Sequence, residues 1–221
     1  MYLYPIMFGK GFGIFFIVSG VLISMSFDRS KAAARFALNR ALRLFPGLWV
    51  CILLTVFVLG PMLTMLPLID YFSDKQTWGF LGALIFWQFS PGMGGVFPDH
   101  PYPHAVNGSL WTLKYEVACY IGGALLLSTG RWRRALVLLV WGISMTGTIL
   151  LGDPHQHSGL LYHVAQLLWL FRFYGAGMLC YLYRDRIPLH TGYGWLAALG
   201  VVLAMATPLF TEALALGGAY A

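Results

Sequence analysis

The chain has 221 residues, 59% hydrophobic and 10% charged, with a mean hydropathy of +0.72. A soluble domain carries about 25% charged residues, so this composition excludes a water-soluble globular domain and predicts an all-α, polytopic integral membrane protein. The net charge of +6 sits in short basic runs beside apolar stretches, a pattern of membrane orientation and not of a nucleic-acid partner.

Residues 1–10 form a short apolar lead containing Pro5 and Lys10. No basic start precedes the first apolar run and no small-residue cleavage site follows it, so a cleavable signal is not expected. The first span is expected over residues 11–27, where Gly11, Gly13, Ser19 and Gly20 permit close helix packing. Residues 28–43 then pack five cations into sixteen residues: Arg29, Lys31, Arg35, Arg40 and Arg43. Arg35, Asn39, Arg40 and Arg43 fall at spacings of three and four, which predicts a short surface helix. The second span is expected over residues 44–66, with Pro46 near its start, where proline is tolerated. A polar connection over 67–78 carries Asp70, Asp74 and Lys75. The apolar segment 78–87 is too short for a crossing, which takes about 20 residues. Trp78 and Trp87 at its ends suit a re-entrant or interfacial piece.

Residues 91–109 are a long loop rich in Gly, Pro and His, with Asp99 and no Lys or Arg. A third span is expected over 110–128, followed by Arg131, Arg133 and Arg134, and a fourth over 135–151. The connection 152–159 holds Asp153, His155 and His157 without a cation. A fifth span is expected over 160–183, then Arg184 and Arg186, and a sixth over 193–210. Three connections are basic (28–43, 129–134 and 184–190) and three lack arginine (67–78, 91–109 and 152–159). If basic connections lie in the cytoplasm, the spans alternate only when residues 79–90 do not cross. The expected architecture is therefore about six transmembrane helices plus one re-entrant or interfacial segment, multi-pass in a cytoplasmic membrane.

Polar residues inside spans are functional candidates because lipid does not satisfy them. Glu116 is the one acidic residue within an expected span, and it shares a face with Thr112 and Tyr120 at i, i+4 spacing while Lys114 points elsewhere. Spacing alone allows two roles for it: a structural carboxylate paired to a cation, or a group facing a cavity. Arg172 lies near the centre of the fifth span and needs an anion, carbonyls or water, which makes Glu116 its candidate partner. His155 and His157 beside Asp153 have the composition of a metal cluster but read as solvated loop residues, and no metal site is expected; His100 and His104 among prolines read as solvated loop residues or as substrate contacts on that face. Cys51, Cys119 and Cys180 lie in apolar segments and read as buried small hydrophobes. No GxSxG, HExxH, Walker or dinucleotide motif is present. On charge alone, the basic run after the first span reads as topological; it can also grip a phosphate.

Three stretches taken in order carry a resemblance: Phe15-Phe16-Ile17-Val18-Ser19-Gly20, Arg40-Ala41-Leu42-Arg43-Leu44-Phe45-Pro46, and Ser109-Leu110-Trp111 through Glu116 to Tyr120. They resemble the FFxxSG, RxxRxxP and SLWxLxxExxxY elements of the type 3 membrane acyltransferases. Arg172-Phe173-Tyr174-Gly175-Ala176-Gly177-Met178 is similar to that family's R-F-x-x-x-G-M stretch. The resemblance covers about residues 10–180 and implies an inner-membrane enzyme that moves an acyl group, usually acetyl, from cytoplasmic acyl-coenzyme A to a carbohydrate hydroxyl. O-antigen, exopolysaccharide and peptidoglycan are the implied acceptors, with acyl-coenzyme A as co-substrate and no permanently bound cofactor. It implies donor binding by Arg40 and Arg43 and a catalytic role for Glu116. Arg172, Ser109, Trp111 and Tyr120 join the substrate- or donor-binding set. The family has about ten helices and an earlier helix whose histidine activates the hydroxyl. By that comparison residues 1–221 form one acyltransferase-like domain, incomplete at both ends and unable to complete transfer alone. The rival reading is a transporter or flippase-like module in which Glu116 and Arg172 form a gating pair.

Overall fold

In the computed structural model the described residues are 3–30, 33–85, 92–97, 106–107 and 110–186, with residues 3–11 and 33 described as backbone only. Among them the regular structure is helical, and the one β contact is an isolated bridge between Thr64 and Val96. The expected sixth span, Ser109, His100, His104 and residues 86–90 lie outside the described residues. Three helical stretches are long and apolar enough to cross a membrane: Phe12–Arg29, Ala34–Leu63 and Gly130–Leu151.

The chain divides into two units, one built from Met1–Ala33 with Tyr115–Ala221 and the other from Ala34–Lys114. The first unit contains α1 (Leu3–Arg29). The second opens with α2, Ala33–Leu54, which corrects two expectations. The cations Arg35, Arg40 and Arg43 do not form a separate surface helix, and Pro46 lies inside α2 and not near a helix start. The basic stretch has no helix breaker between Ala33 and Pro46, so helix propagates through it into the apolar stretch.

After Leu54 the helix widens into a π turn, Thr55–Leu59, and resumes as α3 (Gly60–Leu63). Its cause is local. The Gly60 N–H goes to the Thr55 carbonyl, and the next residue, Pro61, has no N–H to give. The Val56 carbonyl is thereby stripped of a helical donor, and the Tyr71 hydroxyl donates to it at 2.8 Å. Tyr71 sits on α4 (Leu68–Ser73), which is followed by α5 (Lys75–Phe80) and a 3₁₀ turn over Leu81–Ile85. The expected re-entrant segment is thus two short helical turns as far as Ile85. Leu48 and Ile52 of α2 and Val56 of the π turn, four residues apart, bury one face against Tyr71, Phe80, Ala83 and Met93. The other faces stay open, and Cys51 lies on one of them; it is exposed, contrary to the expectation of burial.

A 3₁₀ turn over Leu110–Thr112 leads into α6 (Leu113–Leu127), which belongs to the first unit from Tyr115 onward. α7 (Arg133–Leu151) and α8 (Gly159–Leu182) complete that unit's described helices. Their bounds fall within a few residues of the third, fourth and fifth expected spans, and of the three α7, with the turn before it, is the one long and apolar enough to cross a membrane. The central element is α8: Leu170 through Met178 are all buried, as expected for a helix surrounded by others. α1 meets it through glycine. A Cβ at Gly20 would fall on the Tyr174 carbonyl oxygen, and a Cβ at Gly177 on the Ile17 carbonyl oxygen. Lipid tails are as apolar as leucine, so helix association in lipid rests on close van der Waals approach, which small residues permit. α7 packs on α8 by the same device, with Gly175 under Trp141 and Gly147 under Leu168.

The ends of these helices fix their directions. Asp28 of α1 pairs with Arg133 at the start of α7 at 2.7 Å. Arg134 lies over the Tyr183 ring, 5.6 Å from its centroid, just beyond the end of α8. α1 and α8 therefore run one way and α7 the other, with Arg131, Arg133, Arg134 and Arg184 gathered at one end. This is the alternation that the basic connections predict for these helices.

Overpacking a tight core costs roughly 1–3 kcal/mol. Gly20→Ala and Gly177→Ala should each lower the thermal stability of the protein in nanodiscs by an amount of that order. Gly142→Ala, at a position with nothing within 4 Å of the added Cβ, should leave it unchanged or slightly raised.

Candidate functional site

α6 carries Glu116 in its first turn, and the residue is 7% exposed. The Tyr120 hydroxyl, one turn further on, donates to Glu116 Oε1. Thr112 is buried at 5% exposure, Tyr120 is half-buried and Lys114 is exposed, so the polar stripe faces inward and the lysine outward. Burying a carboxylate is costly unless its oxygens are hydrogen-bonded, and the i, i+4 phenol supplies one such bond from within the same helix.

Arg172 is 2% exposed on the buried stretch of α8. Its guanidinium carbon lies 4.7 Å from the Phe173 ring centroid and 5.4 Å from that of Trp169. Buried guanidinium groups gain from aromatic faces because the ring quadrupole is negative there. The Arg172 carbonyl accepts a hydrogen bond from Trp141 Nε1 at 2.8 Å, which ties this turn of α8 to α7. Glu116 and Arg172 thus both belong to the interior of the first unit.

Arg40 and Arg43 stand one turn apart on α2, in the second unit; Arg43 is exposed and Arg40 half-buried. The Arg40 guanidinium carbon lies 5.8 Å from the centroid of the buried Phe36 ring, which holds the arginine stem against the helix. No acidic residue occurs in α2. Trp111 is half-buried on the 3₁₀ turn that precedes α6.

A polar cluster that spacing does not reveal lies at the start of α6 and α8. The Tyr115 hydroxyl and His163 Nδ1 are 2.9 Å apart, joining residues 48 positions distant in sequence. Tyr162 packs edge-on to His163, with ring centroids 5.2 Å apart, and His155 lies 5.9 Å from Tyr162. The signal available in sequence is a histidine near the outer end of an expected span, without anything to name its partner. His157 is engaged elsewhere, its Nε2 2.8 Å from the Leu151 carbonyl. Among the described residues no three His, Cys, Asp or Glu side chains gather as metal ligands would.

Three comparisons bear on these residues. A family model described as an acyltransferase domain matches residues 3–219. An O-acetyl transferase of Shigella phage Sf6 is 32% identical over 175 residues, covering 76% of this chain and 50% of that protein. Nodulation protein 10 of Rhizobium leguminosarum bv. viciae is 29% identical over 189 residues, covering 80% of this chain and 49% of that protein. The chain spans about half the length of these curated relatives. No solved structure matches it.

The Glu116–Tyr120 bond yields a direct expectation. A hydrogen bond to a charged group is worth about 1.5–3 kcal/mol. Tyr120→Phe should therefore destabilise the folded protein by that order in a denaturation assay. In a Glu116→Gln background the same substitution should cost clearly less, giving a non-zero coupling.

Proposed function

This chain belongs to the acyltransferase domain family, and on that premise we propose that it transfers an acyl group, most simply acetyl, from coenzyme A to a carbohydrate hydroxyl at the cytoplasmic membrane. The observation that carries the donor half is the pair Arg40 and Arg43, one turn apart on a helix without acidic residues. Coenzyme A presents a diphosphate and a 3′-phosphate, and guanidinium groups bind phosphate by paired, charge-assisted hydrogen bonds. The name of the phage relative supports O-acetyl transfer as the chemistry.

In this reading the acceptor hydroxyl attacks the thioester carbonyl. A carbon–oxygen bond forms, the carbon–sulfur bond breaks, and the hydroxyl proton ends on the departing thiol. Glu116 orients or polarises the acceptor, held ready by Tyr120. Arg172 balances Glu116 within the buried interior and sets the local charge for the reacting groups. Trp111, Ser109 and Tyr120 are the further substrate-binding residues. The apolar helices Phe12–Arg29, Ala34–Leu63 and Gly130–Leu151 anchor the enzyme in the bilayer.

Donor binding tests this assignment. Arg40→Ala combined with Arg43→Ala should weaken coenzyme A binding by about 1.5–3 kcal/mol for each charged hydrogen bond to phosphate that is removed, roughly ten- to a hundredfold per arginine. The penalty should shrink for 3′-dephospho-coenzyme A, which offers the arginines less to hold. Equal affinity in the folded double variant, measured by titration calorimetry, would return this turn of α2 to a topological role.

A further inference from the structure

The Tyr115–His163 cluster has no place in the donor chemistry, and its composition points to a different ligand. No charged residue occurs between Asp153 and Arg172, so the side chains that the start of α8 itself presents are neutral. Five such groups converge there: Tyr115, His155, Tyr162, His163 and Gln166. Tyr115 and Gln166 are buried, at 5% and 3% exposure, whereas His163 and His155 are exposed. Gln166 Nε2 donates to the Tyr162 hydroxyl at 3.4 Å. Buried polar residues thus support the rings of His163 and Tyr162 from beneath.

The 2.9 Å contact from Tyr115 engages Nδ1 of His163. Nε2 is then the ring nitrogen that an external ligand meets. It donates when Nδ1 accepts from the phenol and accepts when Nδ1 donates to it. Either state suits a hydroxyl, which is both donor and acceptor. The ring faces and edges of Tyr162 and His155 suit the C–H faces of a sugar. An anion would want the arginines, which gather at the other end of the same unit. Along α8, His163 and Tyr181 are eighteen residues apart, about 27 Å at 1.5 Å per residue.

We propose that this cluster is the acceptor subsite: a neutral, polyhydroxylated ligand hydrogen-bonds to His163 Nε2 and stacks on Tyr162 and His155, with Tyr115 as the positioning residue. The proposal rests on the acyl-transfer reading above and assigns residues to its acceptor. Glu116 follows Tyr115 directly in α6, so the subsite lies within a helical turn of the proposed catalytic carboxylate.

The test uses the protein expressed from its whole native reading frame, in nanodiscs, with acetyl-coenzyme A and a neutral bacterial cell-surface oligosaccharide. H163A should raise the acceptor KM by about tenfold, the worth of one hydrogen bond, and leave the donor KM unchanged. Y115F should raise the acceptor KM by a smaller factor, again without moving the donor KM. Y162L should raise it by removing the stacking face. H163Q, which restores an amide at the same reach, should recover part of the effect and provides the readout if H163A does not fold. An acceptor KM equal to wild type in H163Q and Y162L, or a parallel change in both substrates' KM, would overturn the subsite alone. Absence of turnover in the unsubstituted enzyme would overturn the acyl-transfer reading and the subsite with it.

Discussion

The first unit depends on backbone meeting backbone at Gly20 and Gly177. In water, two helices are pushed together by the apolar surface they hide. In lipid that drive is absent, and what remains is the density of contact that the helices achieve. Glycine on both sides brings the α1 and α8 backbones to a separation no side chain would allow. That approach encloses the stretch from Leu170 to Met178 and with it Arg172. It also joins the stretch around Ser19-Gly20 to the stretch around Gly177-Met178, which lie more than 150 residues apart in sequence. This close approach and two of the sequence signatures involve the same residues.

Once α8 is enclosed, its polar residues must be served by their neighbours. Trp141 of α7 donates to the Arg172 carbonyl, Tyr115 of α6 meets His163, and Gln166 reaches Tyr162 on its own helix. The unit is chemically polarised along α8. Arginines and the Asp28–Arg133 pair mark one end, and neutral histidine and tyrosine groups mark the other. The second unit solves a different problem: Pro61 leaves the Val56 carbonyl without a helical donor, and Tyr71 supplies one from 15 residues away.

Much of this is legible in the sequence, and the reasons are specific. Hydropathy marks α6, α7 and α8 to within a few residues because each is bounded by glycine, cations or a polar turn. Glu116 and Arg172 stand out because charge is rare in apolar runs, and both are buried. Small residues in the first span point to packing positions, and Gly20 is one. Helix continuity is less legible. Pro46 resembles a boundary, yet one missing hydrogen bond does not outweigh helix on both sides of it. The exposure of Cys51 escapes a sequence reading because composition reports that a segment is apolar and is silent on which face is covered. The Tyr115–His163 contact is invisible there because neither residue's neighbours encode the other.

The central claim is that this protein consumes a thioester to modify a hydroxyl, and that it does not simply carry a glycan across the bilayer. The direct measurement reconstitutes the natively expressed protein in proteoliposomes with isotopically labelled acetyl-coenzyme A and a surface oligosaccharide, then follows the label and free thiol by mass spectrometry. Labelled O-acetyl ester should form on the oligosaccharide, one for one with free coenzyme A. Oligosaccharide that crosses the bilayer while the thioester stays intact would contradict it.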